Sequence, residues 1–407
     1  MKVKKFNNYF FIYLSLLFFF GIFWLYIKHL VGNDSTISEW FINYQGGFTR
    51  RGLAGEICFQ IAKYFDLSLR FVIFLFQSFI YSIFLILIYR FFRNIPTNLI
   101  IILSIFTPIF LLYPVAEVEV LARKETFVFI AFLIFLNISN SNYSSNLPLY
   151  YVFFILPILC LIWEPVVFFF PLMASVLIIR LRNDQLIKLL SKIIVCFMPA
   201  LVVSAIAAIM LMSPENHMIM ANSLKENFGE DCYMSCAFML HKASIAKQFE
   251  YTNDLYAPYV FIRYFLIILV GFAPFFLLSF NSKLKIKILF FKNFNNLLYP
   301  VLIILTPILV LFSMGTDWGR WVNISYTFII LFYFYLFKNN LLEVNLDKIT
   351  RKMSFFDNKK VLLILCFIIY AFGWSPQTGM TGDVSSFPGY RIPYKSIKML
   401  YYQINNN

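Results

Sequence analysis

The sequence predicts an all-α polytopic integral membrane protein with about eleven transmembrane helices (10–12) and a cytoplasmic N-terminus, and three observations predict it. First, 61% of the 407 residues are hydrophobic, 20% are aromatic and only 13% are charged, too little polarity to cover a soluble globule. Second, apolar runs of about 20 residues recur along the chain. The alternating pattern of a spanning β-barrel is missing, which leaves helices as the structure able to satisfy its own backbone in lipid. Third, the net charge of +14 sorts onto every second connecting segment, as the positive-inside rule requires.

The first apolar run, 9–31, follows Lys2, Lys4 and Lys5. It is too long for a signal peptide and no small-x-small cleavage site follows, so it reads as a retained first helix. Further spans are expected at 71–89, 97–115, 126–138, 149–162, 165–179, 193–212, 258–280, 297–313, 321–337 and 361–374. The segment 149–179 also reads as one broken or re-entrant helix around "WEP", because Pro165 biases Glu164 away from helical geometry. The whole chain, 1–407, is expected to form a single membrane domain with extracytoplasmic loops at about 32–70, 213–257 and 375–407.

With the N-terminus inside, the inner segments collect Arg90, Arg93, Arg180, Arg182, Lys188, Lys192, Lys283, Lys285, Lys287, Lys292, Lys338, Lys348, Arg351, Lys352, Lys359 and Lys360. These anchor the chain to membrane lipids, so the basic balance carries no indication of nucleic acid as a partner. The uncharged loop "SNSNYSSN" (139–146) is placed inside by alternation alone.

The outward segments hold the residues that need explaining. They are "NYQGGFTRRGLAGE" (43–56), "AEVEVLARKE" (116–125), "WEP" (163–165), "SPENH" (213–217) and "GTDWGRW" (315–321), and together they suggest one composite site at the outer boundary. Gly46 and Gly47 permit a tight turn and close approach of a partner. Arg50 and Arg51 break the charge bias. A planar guanidinium that stays charged is suited to gripping phosphate, and the rival reading is snorkelling to headgroups. Arg123 and Lys124 are a second candidate grip. Arg123 also lies four residues after Glu119, the spacing of a helical ion pair. Asp317 and Arg320 sit between Trp318 and Trp321, which either anchor the interface or stack on sugar faces. Glu164 is a lone carboxylate between apolar runs, and burial that raised its pKa would suit it as a general base. Glu164 and Asp317 are therefore the catalytic candidates.

Cys58, Cys160, Cys196 and Cys366 lie in or beside apolar runs and read as packing residues. Cys232 and Cys236 in "CYMSC" fit a metal pair, a disulfide or neither. His241 lies near them, yet the three histidines complete no recognised zinc spacing, so no metal is expected. Nothing in the sequence suggests a nucleotide fold, a Walker motif or a redox cofactor. Arginine grips, stray carboxylates and tryptophans at an outer membrane edge suit a substrate with a lipid tail, a diphosphate and sugars. Transfer from such a donor needs cations for the leaving diphosphate and one base for the acceptor hydroxyl.

In its many-spanning layout, its Phe/Ile/Asn/Lys-heavy composition and the stretches "GGFTRRGLAGE", "LARKE" and "DWGRW", the chain resembles the O-antigen polymerases (Wzy) and related bacterial surface-polysaccharide proteins. That resemblance implies an inner-membrane enzyme of lipopolysaccharide biosynthesis. It would transfer growing glycan from undecaprenyl diphosphate onto the next lipid-linked repeat unit, with inversion, on the periplasmic face and without a metal or other cofactor. It also implies a chain-length regulator protein as a partner, and phosphate-binding roles for Arg50, Arg51, Arg123 and Arg320. The count of about eleven spans and the modest outer loop depart from the family's dozen spans and dominant loop. Two alternatives accompany it. A GT-C type glycosyltransferase using a polyprenyl-phosphate sugar would place an acid in the first outer loop, where Asp34 and Glu39 lie. A lipid-linked glycan flippase would carry charges along a path through the bundle, rather than clustered at one face.

Overall fold

The computed structural model describes residues 3–96, 98–140, 142–210, 212–240, 245–286, 288–345, 360–381, 383–386, 401 and 404. His241, the cations at 287 and 348–359, and most of the C-terminal loop beyond 386 lie outside the described residues.

Among the described residues five helices are long and apolar enough to cross a membrane: Lys5–His29, Leu69–Phe92, Leu186–Ile209, Pro258–Phe280 and Trp318–Lys338. The chain is a mostly helical, multi-pass membrane protein. Glu125–Ile138, Leu147–Ile162 and Val361–Phe372 are shorter apolar helices. The remaining stretches expected to span are interrupted, and proline is the common cause. Leu99–Phe106 stops at Thr107, ahead of Pro108. The 165–179 stretch opens as a 3-10 turn, Glu164–Phe169, containing Pro165, before the helix Phe170–Arg180. The 297–313 stretch is divided into Leu298–Ile304, a 3-10 turn Thr306–Ile308 around Pro307, and Leu309–Met314.

The chain divides into two compact units. The first comprises Met1–Phe20, Tyr89–Val120 and Gln248–Asn407. Its centre is Trp318–Lys338, whose side chains are buried from Trp318 to Leu336. This helix also repairs the broken one beside it. Asn323 Nδ2 donates to the Ile109 and Phe110 carbonyls (2.8 and 3.0 Å), and the Tyr326 hydroxyl donates to Ser104 O (2.7 Å). Backbone groups released at Thr107 would otherwise go unsatisfied in an apolar surrounding. At one end of this unit Ser282–Leu284 pairs antiparallel with Leu342–Val344, with Ser282 opposite Val344. Asn7 bonds Asn94, and Lys338 Nζ donates to Phe91 O there too. At the other end Trp374–Pro376 pairs antiparallel with Val384–Ser386, and Tyr264 OH and Gly319 N donate to Gly379 O and Thr378 O.

The second unit comprises Gly21–Ile88 and Leu121–Lys247. Arg180 donates to Tyr143 O (2.6 Å) at one end, which brings the uncharged "SNSNYSSN" loop beside the basic 180–192 segment. The 31–70, 122–125, 163–164 and 213–236 segments gather at the other. In each unit, loops expected on one side of the membrane meet each other.

Candidate functional site

The second unit assembles its charged end around the turn 40–51. Gly55 lies on the backbone of that turn: a Cβ there would sit 2.0 Å from Ile42 O and 2.5 Å from Trp40 O. Only a glycine lets the helix Gly52–Phe65 rest so closely. Glu56 fastens the same contact, accepting from Tyr44 N (2.8 Å) and Gln45 Nε2 (2.9 Å). Arg51, at the helix N-terminus, adopts the left-handed conformation (φ 61°), which costs a non-glycine residue energy and persists only where the surroundings enforce it.

Lys124 supplies that enforcement. Its side chain is fully buried, and its ammonium donates to Arg51 O (2.7 Å) and Glu39 O (2.9 Å). The turn carrying it is itself pinned, since Trp40 Nε1 and Gln77 Nε2 both donate to Ala122 O at 2.7 Å. Burial presses the Lys124 ammonium down to about 8 against the support of Glu39. Burial likewise pushes the neighbouring Cys58 thiol up to about 12. The expected phosphate grip at Lys124 is thus replaced by a positioning role. Its donors point at two carbonyls and water does not reach them.

Arg123 reaches Glu39, whose side chain is 1% exposed, at 2.9 Å, and Arg51 Nη1 lies 3.7 Å from the other Glu39 oxygen. The helix Val118–Leu121 ends before the next begins at Glu125, so Glu119 and Arg123 do not share one continuous helix. Arg51 Nε donates to both oxygens of Glu164 (3.0 and 2.8 Å). Burial pushes the Glu164 carboxyl up, but the Arg51 charge and hydrogen bond, with the Arg50 charge, outweigh it and hold it below its ordinary value. The expectation of a burial-raised carboxylate is therefore corrected: Glu164 is an ionised partner of arginine.

Arg50 is the least committed of these cations. Its side chain is 37% exposed and approaches Glu164 only to 4.0 Å. Burial and the Arg51 charge both press on its protonated form, and Glu164 compensates only partly. Three arginines, Arg50, Arg51 and Arg123, thus reach the carboxylates of Glu39 and Glu164, while Lys124 holds backbone carbonyls. Asp34, the other acid that a GT-C type enzyme would offer, is otherwise engaged. It caps the helix Ser35–Ser38 through Thr36 N and Ile37 N and pairs with Lys28 at 2.5 Å.

The glycine pair also has a partner within this unit. Gly47 has φ 99°, and a Cβ on Gly46 would fall 1.9 Å from Asn216 O, so the helix Pro214–Phe228 lies on the 46–47 turn. That helix is held at its far end by Phe59 against Phe228 (5.1 Å) and by Arg70, which grips Glu230 through Nε and Nη2 (2.5 and 2.8 Å). Cys232 and Cys236 form a disulfide, and His217 Nε2 lies 3.3 Å from Cys232 Sγ. The ligand atoms of these three residues fall within 4.8 Å of one another. With the sulfurs joined, the thiolates that a metal would need are not on offer.

The "GTDWGRW" segment belongs to the first unit. Arg320 Nη1 meets Asp317 Oδ2 at 2.9 Å, and the guanidinium lies 4.8 Å from the Trp321 ring centre. Arg320, Trp318 and Trp321 are all buried. Trp318 donates to Phe312 O (2.7 Å) and packs edge-on against Tyr264. A Cβ on Gly319 would strike Gln377 O at 2.0 Å. The expected sugar-stacking faces are spent on packing, and the Asp317–Arg320 pair sits at the start of the central helix beneath the 377–379 backbone.

Sequence reasoning did not find Glu39 as the shared partner of Arg51 and Arg123, nor the Arg70–Glu230 pair. The one available signal for the latter was a charged residue in the first turn of an apolar helix. No known protein family, no curated protein and no solved structure matches the chain.

Proposed function

We propose that this chain is a bacterial inner-membrane glycosyltransferase that polymerises polyprenyl-diphosphate-linked oligosaccharide repeat units into surface polysaccharide on the periplasmic face, alongside a chain-length regulator protein. The observation that carries the reading is the Arg50–Arg51–Arg123 group gathered around Glu39 and Glu164, in which Arg50 stands partly open. The charge bias of the connecting segments puts that group outside. A diphosphate arriving at Arg50 and Arg51 competes with Glu164 for the Arg51 guanidinium. Glu164, relieved of its counter-charge, then takes the proton of the acceptor hydroxyl as that oxygen attacks the anomeric carbon. The carbon–oxygen bond to the diphosphate breaks, and the arginines hold the charge left on the lipid diphosphate. Asp317 and Arg320 keep the central helix of the other unit in place.

In a deletion strain carrying the gene on a plasmid, Arg50→Ala and Arg51→Ala should leave the protein inserted yet abolish glycan beyond one repeat. Lysine at either position should rescue only part of the ladder, since the forked geometry is lost. A normal ladder in both alanine variants contradicts the assignment.

Glu39 favours a second reading. It is an acid of the first outer loop, buried among cations, as a GT-C type enzyme using a polyprenyl-phosphate sugar would place it. That enzyme adds one sugar, so its deletion removes a single residue from the glycan and no ladder depends on it.

A further inference from the structure

The first unit contains a cleft that the polymerase reading does not use. Its volume is about 670 Å³, inside the range of about 300–1,000 Å³ typical of small-molecule sites. One wall is aliphatic, made by Leu266, Ile267 and Val270 of the helix Pro258–Phe280, and Trp374 and Gln377 line it from the segment after the last apolar helix. Arg263 and Asp383 also line it, and they are ion-paired with each other. The Arg263 guanidinium lies 5.0 Å from the Tyr259 ring centre, which orients it. Leu266 and Val270 are exposed, as are Phe265 and Leu269 beside them. This helix is one of the five able to span a membrane, so the cleft opens toward hydrocarbon. From Arg263 to Val270 the wall rises about 10 Å at 1.5 Å per residue.

A cation at one end of an aliphatic wall, open to lipid, matches an anion carried on an apolar chain. We propose that this cleft binds a single-chain lipid phosphate, a polyprenyl phosphate, with its phosphate on Arg263 and the first part of its chain along Leu266, Ile267 and Val270. A half-exposed Arg–Asp pair contributes little by itself, whereas phosphate offers the guanidinium a forked, charge-assisted partner. Asp383 is thus the resident competitor that the phosphate displaces. One cation and one continuous wall suit one chain, which selects against a two-chain phospholipid. The binding test does not depend on glycosyl transfer, so its failure leaves the polymerase reading untouched.

The probe is a diazirine-bearing farnesyl phosphate, photolysed with the purified full chain in phosphatidylcholine nanodiscs and mapped by mass spectrometry. Labelling is expected on 266–270 and around Trp374. It should be displaced by farnesyl phosphate and resist equal concentrations of farnesol, inorganic phosphate and phosphatidylglycerol. Arg263→Gln should lower it at least tenfold, Arg263→Lys less. Asp383→Asn should raise it severalfold, a gain that misfolding does not produce, and Arg50→Ala should leave it intact. Labelling unchanged in Arg263→Gln, reduced in Asp383→Asn, or displaced equally by phosphatidylglycerol would overturn the assignment.

Discussion

Lys124 and Arg50 show how two basic residues in similar company come to do different work. Both stand beside a second cation in a segment that the charge bias assigns to the outside, so the sequence makes each a candidate grip. What separates them is the destination of their donors: two carbonyls for Lys124, one distant carboxylate for Arg50. That distinction is tertiary, because Arg51 and Lys124 lie 73 residues apart, and neither spacing nor hydropathy contains it. The same holds for Glu164, whose lone position in the sequence suggested a raised pKa and whose arginine partner is 113 residues away. The folded-state value of Lys124, about 8, lies below the ordinary lysine value of about 10.4. Between these the unfolded chain binds more protons than the folded one, so stability rises with pH across that window. Wild type should gain thermal stability relative to Lys124→Met between pH 8 and about 10, read as the difference between their melting temperatures. A difference that stays flat with pH contradicts the burial of this ammonium. At pH 7 Lys124→Met should also melt lower than wild type, because two buried carbonyls lose their donor.

At the scale of elements, the glycine-rich opening stretch is a pair of docking surfaces. Gly55 receives the 40–42 backbone and Gly46 receives the helix Pro214–Phe228. The sequence indicated close approach to a partner. It did not indicate that the partner is the chain's own helix Pro214–Phe228, about 170 residues on. Gly55→Ala should destabilise the second unit by about 1–3 kcal/mol, the usual cost of an overpacked contact, visible as a lowered melting temperature. Gly46→Ala should instead loosen one helix: hydrogen exchange should speed up over 214–228 while the long apolar helices keep their protection. Unchanged exchange there would mean that the contact is not a clasp. The expected spans survive best where they are long and free of proline. They break at Thr107, Glu164 and Thr306, where proline follows or enters, and around Thr107 the backbone recovers partners from Asn323 and Tyr326.

For the molecule as a whole, the membrane class was legible in composition alone. The site was legible as residue types on one side, and its internal pairing was not, since ion pairs between distant segments leave no local pattern. The central claim is that the Arg50–Arg51–Arg123 group takes a lipid-borne diphosphate in place of Glu164. Equilibrium binding of undecaprenyl diphosphate to the purified chain, compared across wild type, Arg50→Ala and Glu164→Gln, tests it most directly. Affinity should fall at least tenfold in Arg50→Ala and rise in Glu164→Gln, where the competing carboxylate charge is gone. Equal affinity in all three would contradict it.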